Sequence, residues 1–159
     1  MKIIKVIALV LIVVVIGVIF TAPIGPFPGF FIGGTPTQVP ATWPDTSGLH
    51  EIRLEVDQGL LPRVVIIWVI QVDGALHVAG SNESGWVRML GDGGPVRVRI
   101  RNETYALQAE RLTSDWQRVL QAYVDKYRPD YPDIVGGFPP VEEAADIFAV
   151  FRLTAPGGG

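Results

Sequence analysis

The chain has 159 residues, no cysteine, and 13 basic against 16 acidic residues. All the acidic residues and eleven of the basic ones lie at or beyond Asp45, so that portion carries a balance of −5. These totals exclude disulfides, thiolate zinc centres and a cysteine nucleophile, and an acidic domain lacks the basic face that a general nucleic-acid partner requires.

Residues 3–20 are apolar or glycine apart from Lys5. A helix of that length spans about 27 Å, close to the hydrocarbon thickness of a bilayer. Lys2 and Lys5 stand in front of it and no further cation occurs before Arg53. The positive-inside rule then places the N-terminus in the cytoplasm and the rest of the chain on the periplasmic or extracytoplasmic side. The competing reading is a cleaved signal peptide. It needs a shorter apolar run and a small-residue cleavage site, whereas this run ends in Phe20-Thr21-Ala22-Pro23. The favoured division is a transmembrane signal anchor over 1–22, a linker over 23–47, one folded domain over 48–154 and a tail over 155–159. The linker stretch 23–44 holds six prolines and four glycines, so neither helix nor sheet is expected there. Phe27, Phe30 and Phe31 are expected to dock on the domain rather than rest at the membrane interface.

Within the domain, 50–56 alternates, with Ile52, Leu54 and Val56 on one face and Glu51, Arg53 and Glu55 on a wet one. Residues 63–80 read as a hairpin. Asp73-Gly74 supplies the turn, and the first arm is apolar at nearly every position, the mark of a strand covered on both faces. A two-residue loop sets Val72 opposite Ala75, Ile70 opposite His77 and Trp68 opposite Ala79. His77 then shares a face with Trp68 and Ile70. It is either a ligand or proton donor or, the favoured reading, a partly buried histidine bonded to a neighbour. Two isolated histidines do not make a metal site.

The polar loop Ser81-Asn82-Glu83-Ser84-Gly85 leads into a short helix holding Trp86 and Arg88. Ser81, Asn82, Ser84 and Arg88 are donors suited to cradling an anion; an ordinary loop with a helix cap is the plainer alternative. A second hairpin follows. Val96, Val98 and Ile100 alternate with Arg97, Arg99 and Arg101, and Asn102-Glu103 is expected to turn the chain, pairing Ile100 with Tyr105. The three arginines on one face suit a phosphate or carboxylate, or form a solvated face paired with acids. Ser114 and Gln117 read as a capping box for a helix to about Tyr127, whose stripe of Trp116, Val119, Leu120, Tyr123 and Val124 packs on the sheet. Pro129 and Pro132 end that segment, 142–146 is a candidate short helix, and 147–153 is a last strand. The class is mainly β with helices: an antiparallel split β-barrel of about six strands, preceded by one N-terminal transmembrane helix.

The order IWVIQVDGALHVAG, SGWVRML, PVRVRIRNETYALQAE and AYVDKY resembles the split-barrel flavin- and deazaflavin-binding superfamily, which includes pyridoxamine-phosphate oxidase and the deazaflavin-dependent nitroreductases. The similarity covers about 49–153 and is strongest to a small branch with strand-DG-strand, Ser-x-Trp and AYxxKY patterns. It implies a homodimer with a cofactor phosphate near the strand end and following loop, here Ala79, Gly80, Ser81, Ser84, Trp86 and Arg88. Flavin-binding members place a basic residue at that strand end; this chain has Ala79-Gly80-Ser81-Asn82, with Arg88 as the nearest cation in sequence. The resemblance implies an oxidoreductase using FMN or a deazaflavin, which the expected N-terminal helix anchors to a membrane, an unusual feature for that superfamily; the cofactor-binding candidates are Ser81, Ser84, Trp86 and Arg88 from the resemblance and Asn82 and His77 from the loop and hairpin readings above. The alternatives are a cofactor-free accessory or interaction subunit of a membrane complex, and a solute-binding barrel.

Overall fold

The computed structural model describes residues 2–21, 23 and 28–157, with the side chains of 2 and 18–21 left out. Ala22, Phe27 and the end of the tail therefore lie outside the described residues. The first helix, α1 (Lys2–Thr21), is twenty residues long, or about 30 Å. Its side chains are described over 3–17 and all are exposed there, from 75% at Ile3 to 49% at Ile16 for the large apolar ones. Among the described residues no helix is long and apolar enough to cross a membrane. The expected spanning helix is thus not established, although the backbone is helical over the expected residues.

The chain then forms β1 (Thr35–Pro36), β2 (Glu51–Val56), β3 (Arg63–Trp68), β4 (Ile70–Val72), β5 (Ala75–Ser81), α2 (Gly85–Leu90), β6 (Gly93–Ile100), β7 (Glu103–Arg111), α3 (Trp116–Tyr127), α4 (Pro132–Gly136), a 3-10 turn (Val141–Asp146) and β8 (Phe148–Thr154). The strand order is β3-β2-β6-β7-β8-β5-β4, with β1 added in parallel to β7. β3 and β4 are one stretch of chain interrupted only at Val69. The two ends of the sheet are therefore halves of a single strand, and the sheet curls into a mainly antiparallel barrel that is split where β3 leaves β5.

Alternation sorts the side chains to two cores. Inside the barrel lie Leu54, Val69, Leu76, Val78, Val98 and Phe151, all fully buried. On the outer wall, α3 lays Val119, Leu120, Tyr123, Val124 and Tyr127 against Ile70 and Val150, which is the expected stripe. Each such side chain contributes about 1.5–3 kcal/mol by leaving water.

The first hairpin has the expected register at Ile70–His77 and Val72–Ala75, and Asp73 and Gly74 both take positive φ, 51° and 77°. Trp68 does not face Ala79. It pairs with Glu51 of β2, because the strand breaks at Val69 and changes partners. The second hairpin turns at Arg101-Asn102 rather than Asn102-Glu103, so Ile100 meets Glu103 and Val98 meets Tyr105. Arg101 takes φ 54°. A two-residue slip preserves the faces, which is why side-chain alternation did not expose it. Glu55, expected on a wet face, is 2% exposed, opposite Val64 on one side and Arg97 on the other.

The proline-rich stretch does form sheet. β1 pairs with β7, and Gly29 exchanges two 2.8 Å backbone hydrogen bonds with Val64. Proline is tolerated at such an edge because it need not donate to a ladder. Ile32 is 1% exposed, whereas Phe31 is 64% exposed; docking is real but uses Ile32 more than Phe31. The expected capping box is not made: Asp115 stands at the N-cap of α3 with φ 57° and no side-chain cap bond. Pro132 opens α4 rather than ending structure, as the first helical turn permits.

Candidate functional site

The AYVDKY stretch of α3 explains the split. The hydroxyl of Tyr127 accepts the Val69 N–H at 2.9 Å and lies 2.8 Å from the Val69 carbonyl and 2.5 Å from that of His50. Lys126 Nζ donates to the carbonyls of Thr46, Leu49 and Val69 at 3.1, 2.7 and 2.9 Å. One tyrosine and one lysine thus satisfy the backbone groups that the strand break withdraws from the ladder. Burial lowers the Lys126 pKa, partly offset by Asp45. One turn earlier, the Tyr123 hydroxyl reaches the carbonyls of Trp68 and His77 at 2.9 and 3.0 Å. It bridges the two strands where they part. Burial, with Tyr127 beside it, raises the Tyr123 pKa well above the usual phenol range, so it is a neutral donor.

Above this bridge lies a cleft of about 360 Å³. One wall is β3, with Ile66, Ile67 and Trp68; the other is the end of β5, with Ala79 and Gly80, backed by Trp86. α3 contributes Leu120, Tyr123 and Val124, and the segment before β8 closes over with Phe138 and Val141, joined by Phe148 at the start of β8. Trp68 is held by stacking on Tyr127, with centroids 4.1 Å apart and planes 7° apart. Trp86 is fixed from behind by Phe151 at 5.7 Å and packs so closely on Gly80 that a Cβ there would stand 2.3 Å from its ring. Glu51 is the one charged residue of the lining, and no cation belongs to it. Chemically the cleft is a preformed apolar slot with aromatic walls, the usual character of a small-molecule site.

Of the six residues singled out from the sequence, Trp86 alone lines this cleft. Ser81 and Asn82 are committed to the fold. Ser81 Oγ accepts the Glu83 N–H at 3.2 Å. The Asn82 side chain donates to the Asp146 carbonyl at 2.9 Å and accepts from Arg111 at 2.7 Å. Ser84 precedes α2 without a side-chain cap bond, and Arg88 is exposed on α2. The cation packed on the start of α2 is instead Arg63, whose Cζ would lie 2.9 Å from a Cβ at Gly85. His77 is 5% exposed on the outer face, with Nδ1 3.2 Å from the Ala75 carbonyl. Burial lowers its pKa to about 4, with Arg152 and Arg118 acting in the same direction and the Ala75 bond and Asp73 against them. It is a neutral, bonded histidine.

The arginine row also divides. Arg97 pairs with buried Glu55 at 2.5 Å. Arg99 donates to the carbonyls of Arg101 and Ile32 and to the Asn102 side chain. A ring system fits the apolar walls of the cleft, but the residues expected to hold a flavin phosphate do not converge on it. Among the described residues no group of acids and histidines is placed to hold a metal ion. The residues missed in the sequence were Tyr123, Lys126 and Tyr127 as the seam, and the closing segment with Phe138 and Phe148. The AYxxKY pattern was visible; the break that it serves carries no local signal.

No family model matches the chain, and no curated protein matches it. Among solved structures it is similar to a NimC/NimA family protein from Clostridium acetobutylicum, with 20% identity over 65% of this chain and 73% of that one and a TM-score of 0.49. It is also similar to the heme storage protein HutZ from Vibrio cholerae, with 20% identity over 68% and 82% and a TM-score of 0.48. A protein of unknown function from Agrobacterium tumefaciens matches at 16% identity and a TM-score of 0.48, and this chain spans 49% of its length. Likeness at this level fixes neither ligand nor activity, and the half-barrel architecture stands on the chain's own strand pairing.

Proposed function

We propose that the protein is a membrane-tethered split-barrel module that holds an apolar, ring-bearing small molecule in the cleft between β3 and β5. The carrying observation is the cleft itself: about 360 Å³, walled by Trp68, Trp86, Phe138 and Phe148, with no cation in its lining. The tether rests on α1, whose described side chains are apolar on every side apart from Lys5 and are exposed, a surface that water does not favour. In this reading the module serves a membrane assembly as a homodimer or accessory subunit.

The test uses the full chain in lipid nanodiscs, titrated calorimetrically with neutral 2-naphthylmethanol, with empty nanodiscs as the blank. Saturable binding that Ala79→Leu abolishes supports the reading, since that side chain fills the slot. Absence of saturable binding sinks it. For the tether, native membranes are washed with alkaline carbonate; release of the chain into the supernatant defeats that half. Co-purification from the same membranes, followed by light scattering, reports the assembly.

A flavin- or deazaflavin-dependent oxidoreductase is the second reading. The observation favouring it is that Ala79, Gly80 and Trp86, which the resemblance assigns to a cofactor, do line the cleft. Such a cofactor would supply hydride chemistry, while the chain supplied the apolar walls. Riboflavin and FMN are the discriminating titrants: a perturbed flavin spectrum with either at equimolar protein supports it, and an unperturbed one removes it.

A further inference from the structure

We infer that the ligand of the cleft is an amphipathic anion, an apolar ring or chain ending in a carboxylate or phosphate, with its charged end held by Arg53 and Arg101; this rests on the apolar-cleft reading above. A second hollow of about 270 Å³ adjoins the cleft, and the two share Glu51 and Ile66 in their linings. Its remaining residues are Ile52, Arg53, Arg99 and Arg101. The apolar slot and this hollow are therefore neighbouring parts of one surface, divided by two side chains.

Three features make the hollow an anion seat. Arg53 and Arg99 face each other across β2 and β6, a like-charge pairing that costs stability in the absence of a counterion. Among the described residues the ion pairs are His50–Asp130, Arg97–Glu55 and Arg118–Asp73, so neither Arg53 nor Arg101 has an acidic partner. Arg99 is spent on two carbonyls and an amide oxygen, which position the guanidinium without neutralising it. Against three arginines stands Glu51 alone, leaving a positive balance in a domain that is acidic as a whole. Guanidinium groups hold carboxylates and phosphates through paired N–H donors. A ligand anchored here and reaching past Ile66 meets Trp68 and the slot. The design separates roles: the slot recognises shape, and the arginines add affinity and set which end stays outside.

The test titrates the full chain in nanodiscs with 2-naphthoate, 2-naphthyl phosphate and neutral 2-naphthylmethanol, again against empty nanodiscs. At least tenfold tighter binding of one or both anions than of the alcohol is expected, and the better anion identifies the head group. Arg53→Gln combined with Arg101→Gln should bring the anions to the level of the alcohol and leave the alcohol unchanged. Half-molar sodium chloride should do the same to the unmodified chain, a readout that survives a variant that fails to fold. Equal binding of all three by the unmodified chain overturns the anion seat while the slot stands. An anion preference retained in the folded double variant overturns it as well. If none of the three binds, the slot reading and this one fall together.

Discussion

Gly80 is a position where a single hydrogen atom decides the shape of the cleft. Its φ is unremarkable, so the requirement is space: a methyl there would meet the Trp86 indole at 2.3 Å. Gly80→Ala is expected to force Trp86 outward and cost about 1–3 kcal/mol, the usual range for overpacking, seen as a lower urea midpoint and a shifted tryptophan emission. An unchanged midpoint would show that the indole has room to move. His77 makes the second prediction at this scale. An unfolded histidine takes up its proton near pH 6.5, and the folded one near pH 4, because burial disfavours the cation. Between those values the unfolded chain binds more protons, so stability rises with pH. The contribution is complete above about pH 6.5 and is lost as pH falls toward 4. His77→Gln should flatten the urea midpoint between pH 7 and pH 4.5 relative to the unmodified chain; parallel profiles would place the acid sensitivity elsewhere. The bonded, buried state of His77 was legible from its register opposite Ile70. The commitment of Asn82 to Asp146 and Arg111 was not, since those partners lie 64 and 29 residues away.

At the scale of the element, α3 acts as the clasp of a broken strand. Residues 64–70 read as one continuous apolar run, and nothing in it, neither glycine nor proline, announces that Val69 leaves the ladder. The break is imposed from outside, by β2 claiming one half and β5 the other, and it is tolerable because Tyr127 and Lys126 take over the Val69 N–H and carbonyl. Tyr127→Phe keeps the ring and its stacking on Trp68 but leaves a buried N–H unpaired. A loss of about 1–3 kcal/mol is expected for that, with faster hydrogen exchange at the Val69 amide as the local signature. A stability loss without faster exchange there would mean that the hydroxyl acts through His50 instead. The helix and its stripe were readable from the 3.6 period; its purpose was not, because a seam is a property of two strands and a helix together. The hairpin of β6 and β7 shows the complementary case, where the pattern gave the faces correctly while the turn sits one residue earlier, with Arg101 at positive φ, and the register slips by two.

For the whole molecule, the consequence of the fold is that the stretch from Gly29 to Pro36 is part of the barrel's outer surface rather than a loose leash. Proline and glycine content argued for an extended, unpaired chain, and that argument concerns only local preference. It could not anticipate that Arg99 would reach the Ile32 carbonyl at 3.1 Å, that Thr104 Oγ1 would donate to Gly33 at 2.6 Å, or that Ile32 would be sealed to 1% exposure. Ile32→Ala is therefore expected to cost about 2–4 kcal/mol, as truncation of a core isoleucine does, even though it lies in a stretch that composition assigns to a linker. Phe31→Ala, at a residue that is 64% exposed, serves as the control and should change stability by no more than about 0.5 kcal/mol. Urea unfolding of the two variants in matched nanodiscs checks both. If Ile32→Ala were as mild as the control, the segment would be a tether and the barrel would swing on it. If it destabilises as expected, only the residues between Thr21 and Gly29 separate the helix from the first hydrogen bonds to β3. The barrel is then held within about 30 Å of the end of that helix, the reach of an extended chain of that length, and a ligand of the cleft is met at that distance from whatever surface the helix occupies.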